Sequence, residues 1–170
     1  SHLLQGVIDE DKIVKIIPKD LDSFFKVCFI LENMGKLPRN ANLWLIYLLT
    51  YIRENIPLGE IAQLVYCLDF LYSKLQLKNN ELNTVVEKIK ELLGKIRSYA
   101  NREGSYTSSA SFSPLEETRY ALFALNLLED LVQDAIFYYD VGGLKPIKKI
   151  YENVVDIEAT YDFLKRSGEE

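Results

Sequence analysis

The chain reads as an all-α domain of antiparallel helical hairpins, and its composition, periodicity and punctuation agree on this. Five prolines and eight glycines are few for 170 residues that are 48% apolar, which favours long uninterrupted elements around a sizeable core. Apolar residues recur at i, i+3 and i+4 with scarcely any strand-like alternation. The runs are bounded by helix start and stop signals, giving roughly eight helices.

The first helix is expected near Asp9 to Ile17, ending at Pro18, whose ring and missing N–H break helices. Asp20 is placed to cap the second, Leu21 to Met34, and Gly35 stands where a left-handed C-terminal cap belongs. The third, Ala41 to Glu54, has Asn40 as candidate cap and Pro57 beyond its end. Pro57 opens the fourth, which extends to about Leu75. Asn79 or Asn80 caps a fifth, lasting to Ala100. Ser113-Pro114-Leu115-Glu116 is the strongest start signal: Ser113 can cap, Pro114 fits the first turn, and Glu116 completes an S-x-x-E box. Phe137-Tyr138-Tyr139 is read as lying in the connection that follows, with Asp140-Val141-Gly142-Gly143 as a turn. Short helices are expected at Leu144 to Val155 and Ile157 to Arg166.

These helices are of two kinds. The fifth carries Leu82, Val85, Val86, Ile89, Leu92, Leu93 and Ile96 on one stripe and should bury a single face. The sixth, with Tyr120-Ala121-Leu122-Phe123-Ala124-Leu125, has almost no polar sector and should be buried on two sides. The fourth resembles it. Inner and outer helices thus alternate. The segments starting at Leu21, Leu58, Leu115 and Ile157 share a pattern as well: Val27, Leu64, Ala121 and Phe163 align, and the Glu-x-Thr of Glu116 to Thr118 recurs at Glu158 to Thr160.

A net charge of −5 with both signs dispersed offers no basic face for phosphates, which argues against a nucleic-acid partner. Cys28 and Cys67 sit within helical apolar patterns and read as small hydrophobes, pointing to a reducing, cytoplasmic setting. The apolar run Leu43 to Leu49 falls well short of the roughly 20 residues a membrane span needs, so no transmembrane segment is expected, nor a signal peptide. Residues 1–170 are expected to form a single domain. Ser1-His2 reads as the remnant of a cleaved expression tag, so the chain is expected to be a candidate fragment of a longer one.

Arg102-Glu103-Gly104-Ser105-Tyr106, followed by Ser113 to Leu122 (SPLEETRYAL) and Leu125-Asn126-Leu127-Leu128, resembles the repeat of protein prenyltransferase β-subunits and squalene/terpene cyclases. That repeat has a Gly-aromatic loop, an acidic residue and Thr near the next helix start, then Tyr-Ala and a following Leu. The resemblance implies an α/α toroid, here a partial arc of roughly four hairpins, with inner helices lining a cavity. It is weaker over the other inner helices, where Pro18-Lys19, Ile56-Pro57 and Val155-Asp156 leave no room for the Gly-aromatic loop.

The family's chemistry does not carry over residue by residue. Its prenyltransferases hold zinc through Asp, Cys and His, whereas the single histidine here is His2 and neither cysteine lies in an Asp-x-Cys pair. Its protonating cyclases use D-x-D-D; the nearest approach, Asp20-Leu21-Asp22-Ser23, reads as a helix cap and a first-turn charge. No Ser-His-Asp set, P-loop or dinucleotide fingerprint occurs. Glu116, Glu117, Glu129 and Asp130 read as helix-end or solvated carboxylates. No catalytic residue, metal or cofactor is therefore assigned.

Aromatic residues remain as candidates for a cavity or an interface: Trp44, Tyr47, Tyr66, Tyr106, Tyr120, Phe123, Phe137, Tyr138, Tyr139 and Tyr161. Core packing competes for most of them; Phe137-Tyr138-Tyr139, if exposed, would mark an interface. The leading expectation is a non-catalytic scaffold or interaction module that binds a protein partner or self-associates as a homo-oligomer. The rival is part of an isoprenoid-handling enzyme, with an apolar isoprenoid-like ligand in a cavity lined by Tyr120, Phe123 and Leu64. A plain helical bundle with an accidental repeat is the third reading.

Overall fold

A computed structural model of the chain describes residues 10–72, 74–75, 79–109, 111–139 and 157–168, with the backbone alone at 10–11, 79–80, 82, 132–139 and 157. The helices are α1 (Glu10–Ile13), α2 (Leu21–Met34), α3 (Ala41–Leu49), α4 (Leu58–Tyr72), α5 (Asn79–Ser98), α6 (Pro114–Tyr139) and α7 (Ile157–Arg166). Among the described residues there is no strand, only an isolated antiparallel bridge between Ala100 and Tyr106. The all-α expectation is met.

α1 ends earlier than its apolar pattern suggests. The Val14 carbonyl would look to residue 18 for its helical partner, and Pro18 has no N–H to give. Arg39 N–H fills that role instead, at 2.6 Å, and ties the segment to the α2–α3 connection. α2 begins as expected: Asp20 Oδ1 accepts from Ser23 N–H at 2.8 Å. It ends at Gly35 (φ 65°, ψ 31°), whose N–H donates to Glu32, while Lys36 N–H reaches back to the Leu31 carbonyl at 2.9 Å.

α3 also stops short, at Leu49. The Thr50 hydroxyl and N–H both turn back onto the Tyr47 carbonyl, at 2.6 and 3.1 Å, and Tyr51 N–H takes Leu48 O. The chain therefore leaves α3 in tight three-residue turns. Asn40 stands at the N-cap position but makes no side-chain cap bond; its carbonyl accepts from Trp44 N–H. At α5 the residues read as caps, Asn79 and Asn80, already belong to the helix. Leu144 to Val155 and Asp140 to Gly143 lie outside the described residues.

α4 is the centre of the domain. It packs against α6, α2 and α3, most extensively against α6, and α5 contacts α6. Ten of its residues are buried, from Leu58 to Tyr72, so the expected two-sided burial holds there. It does not hold for α6. That helix buries one stripe, Glu117, Thr118, Ala121, Ala124, Leu125, Leu128 and Leu131, while Phe123 stands 44% exposed on another face. α5 buries the single stripe of Val85, Val86, Ile89, Leu92, Leu93 and Ile96.

Cys28 of α2 and Cys67 of α4 are both free and fully buried where these helices meet. Hydrogen bonding with Cys28, followed by burial, pushes the Cys67 thiol far above the ordinary cysteine range. It behaves as an inert core group rather than as a thiolate. Trp44 is also core: it is 1% exposed and meets Phe24 edge to face, with ring centroids 5.2 Å apart.

Candidate functional site

The segment between α5 and α6 folds back tightly on itself. Gly104 N–H donates to Asn101 O, Asn101 N–H to Ser105 O at 2.8 Å, and Thr107 N–H to Tyr99 O at 3.1 Å. Gly104 sits at φ 95°, which only glycine adopts at no steric cost. The Ser105 hydroxyl donates to Glu103 at 2.6 Å, and this bond holds the Glu103 carboxyl below its usual range. The outcome is a rigid loop at residues 99–107 with Tyr106 buried beneath it.

The first turn of α6 anchors that loop. Thr118 Oγ1 accepts from Tyr106 N–H at 3.0 Å and donates to Pro114 O. Glu117, 1% exposed, accepts from Ser109 N–H at 2.8 Å, from Ser108 N–H at 2.9 Å and from the Ser108 hydroxyl. The Ser108 oxygen accepts in turn from Leu58 N–H at 2.8 Å. One carboxyl group thus fixes the loop and, through Ser108, the start of α4. This corrects the reading of Glu117 as a solvated helix-end acid. Ser113 caps α6 as expected, accepting from Glu116 N–H at 3.2 Å.

The repeat of Glu-x-Thr has a structural counterpart. Thr160 of α7, in the position equivalent to Thr118, donates to Gly104 O at 2.9 Å. Arg166 reaches the Glu103 carbonyl at 3.4 Å. A Cβ at Gly104 would collide with the backbone of Ala159 and Thr160. Thr118 and Thr160 therefore hold the same loop from two helices.

Beside this loop lies a groove of about 720 Å³, bounded by Phe25 of α2, by Pro57, Gly59, Glu60, Ala62 and Gln63 around the start of α4, by Ser109, Ser111 and Phe112, and by Arg119, Tyr120 and Phe123 of α6. Tyr120 meets Phe112 edge to face, centroids 5.8 Å apart. Phe25 meets Tyr66 likewise at 5.2 Å, and Phe29 lies beyond, 6.5 Å from Tyr66. The aromatic surface thus continues along α2 and α4. Burial, reinforced by Glu32, raises the Tyr66 phenol well above its usual range, so it stays protonated. Glu60 is held by Arg53 through two bonds, at 2.7 and 3.2 Å.

Of the aromatics singled out in the sequence, Tyr120 and Phe123 line the groove and Tyr66 flanks it through Phe25. Leu64, expected to line the same cavity, is wholly buried because its face of α4 meets other helices. Trp44 and Tyr106 are core residues, each 1% exposed. Tyr47 and Tyr161 are exposed elsewhere, Tyr161 beneath the Lys165 ammonium at 5.5 Å. Phe137, Tyr138 and Tyr139 belong to α6 and not to a connection: the helix runs past its polar interruption at Gln133-Asp134 to Tyr139. Phe25 and Phe112 were not singled out, although Phe112 directly precedes the Ser-Pro start signal.

Among the described residues no cluster of His, Cys, Asp and Glu could hold a metal ion, and no helix is long and apolar enough to cross a membrane. Comparison with protein-family profiles, curated proteins and solved structures yields no match to this chain.

Proposed function

We propose that this chain is a non-catalytic helical-repeat interaction module, a divergent and partial relative of the prenyltransferase and terpene cyclase toroid, which binds a protein partner or a second copy of itself. The observation that carries this reading is the groove between α2, α4 and α6, where Phe112 and Phe123 stand 46% and 44% exposed. Contiguous exposed aromatics on a rigid frame are a hallmark of protein interfaces. Support for the toroid relation comes from the contacts of α4 with both α2 and α6, and from the threonines that share the Gly104 loop. The two buried free thiols fit a reducing, cytoplasmic setting.

The test is affinity capture from extracts of the source cells, with wild-type and Phe123→Glu baits in parallel and the mass of each bait measured in solution. A protein retained by the wild type and depleted about tenfold by the charged variant, or a wild-type dimer that the variant dissociates, supports the module. Identical capture and identical mass would overturn it. The groove's volume also lies in the range of small-molecule sites, which keeps the isoprenoid-handling reading as the second one. Saturable binding of a prenyl diphosphate analogue, abolished by Phe123→Glu, would favour that alternative.

A further inference from the structure

We propose that Cys28 and Cys67 form a redox latch, a buried dithiol that a hydroperoxide converts to a disulfide joining α2 to α4. The contacts beside the pair set its register. Asp22 Oδ1 accepts from the Gln63 amide at 2.9 Å, and Phe25 meets Tyr66 with ring centroids 5.2 Å apart. Both contacts climb the two helices in the same direction, so α2 and α4 run side by side in parallel. Cys28 stands one turn beyond Phe25, and Cys67 directly follows Tyr66. Both are wholly buried, and their thiols hydrogen-bond to each other. The chain has two cysteines in 170 residues, and the fold brings those two together.

The packing accommodates the bond. Packed helices run about 8 to 10 Å apart with their Cα atoms about 2.3 Å from each axis, so facing residues have Cα atoms about 4 to 5 Å apart. A disulfide spans about 4.4 to 6.8 Å between Cα atoms. In a reducing setting the dithiol is the resting form. Oxidation begins when one thiol gives its proton to water and its sulfur attacks the terminal oxygen of a hydroperoxide. The O–O bond breaks, a sulfenic acid forms, and the alkoxide leaves as an alcohol. The second sulfur, its proton lost in turn, attacks the sulfenic sulfur; the S–S bond forms, the S–O bond breaks and water leaves. Two thiols and one hydroperoxide thus yield one disulfide, one alcohol and one water, both electrons coming from sulfur. Neither sulfur meets solvent in the closed molecule, so the first step proceeds while α2 stands away from α4 and the second as they close. The bond then holds Phe25 and Ala62, which border the groove from α2 and α4, at one separation.

The experiment treats the folded 170-residue chain with hydrogen peroxide and follows intact mass, peptide maps made without reductant, and thermal melting. Expected is a monomer lighter by two hydrogen atoms, its Cys28 and Cys67 peptides joined, and reversed by dithiothreitol. Its thermal midpoint should rise by about 10 °C, the effect of closing a loop of about 40 residues in a domain of this size. Cys28→Ala and Cys67→Ala should each lose both the mass change and the higher midpoint; should either fail to fold, the wild-type readouts decide. A folded chain that stays reduced, or that joins its cysteines only in denaturant, would overturn the latch. So would sulfinate, disulfide-linked dimers, or a joined form that melts no higher than the dithiol.

Discussion

The Thr160 hydroxyl donates to the Gly104 carbonyl at 2.9 Å, joining residues 56 apart in the chain. This bond and the bare Cα of Gly104 let α7 lie directly on the loop. Gly104→Ala adds a methyl group at φ 95° and against the Ala159 backbone, and should weaken the docking of α7 by about 2 kcal/mol. Thr160→Val keeps the shape and should cost about 1 kcal/mol. Hydrogen exchange of the α7 amides, read against α4, checks both: α7 should exchange faster while α4 is unchanged.

Glu117 satisfies three donors from Ser108 and Ser109 inside the protein. Glu117→Ala leaves these part-buried donors without that acceptor and should destabilise the fold by about 2 kcal/mol. Glu117→Gln retains one acceptor oxygen and should cost less. Chemical denaturation of the three proteins measures this order; equal stability of wild type and the alanine variant would show that the loop does not depend on this group.

Acid should loosen the α2 cap and the Gly104 loop. Asp20 is held below its usual 3.8 chiefly by Ser23 N–H, and Glu103 below 4.5 chiefly by the Ser105 hydroxyl. A carboxyl group whose folded pKa is depressed contributes stability above its unfolded value and loses it as pH falls through the folded one. Stability should therefore decline as pH drops below the ordinary carboxylate range. Asp20→Asn still caps but cannot titrate, so its thermal midpoint should fall less between pH 5 and pH 2 (roughly the window in which such carboxylates titrate).

Base acts through the tyrosines. Burial raises Tyr66, Tyr51 and Tyr99 above 10.0. Groups raised on folding contribute stability that is complete below the unfolded pKa and is lost as pH climbs through the folded one. Ultraviolet titration should show a late-ionising class of tyrosines that merges with the rest on unfolding. Tyr66→Phe should reduce the loss of stability above about pH 10.

Phe123→Glu and Trp44→Ala should separate surface from core. The first alters a 44% exposed side chain and should move stability by about 0.5 kcal/mol or less. The second removes a ring packed on Phe24 and should cost about 4 kcal/mol. Thermal melts followed by circular dichroism decide, and a large loss in Phe123→Glu would mean that the groove wall is structural.

Features set by neighbours in sequence were legible in advance. Asp20, Gly35 and Ser113 cap their helices as the local pattern indicates, and α7 spans Ile157–Arg166 as expected. Features set by distant partners were not. Glu117 looks like a solvated acid until the loop folds over it, and α1 and α3 end where Arg39 and Thr50 claim carbonyls that the apolar pattern leaves to the helix. Aromatic spacing alone could not separate Trp44, which is buried, from Phe123, which faces the groove, because both obey the same periodicity. The pattern drew attention to the Gly104 loop and to the Glu-x-Thr of Glu116 to Thr118, but only the hydrogen bonds show that Glu117, between them, is the acid that holds the loop.

The N–H of Leu58, at the head of the central helix, finds its acceptor on Ser108, 50 residues later. During synthesis α4 leaves the ribosome before that acceptor exists and before α6, its principal packing partner, has been made. The growing chain must carry its central helix, ten of whose residues end up buried, without its main packing partner until the second half arrives.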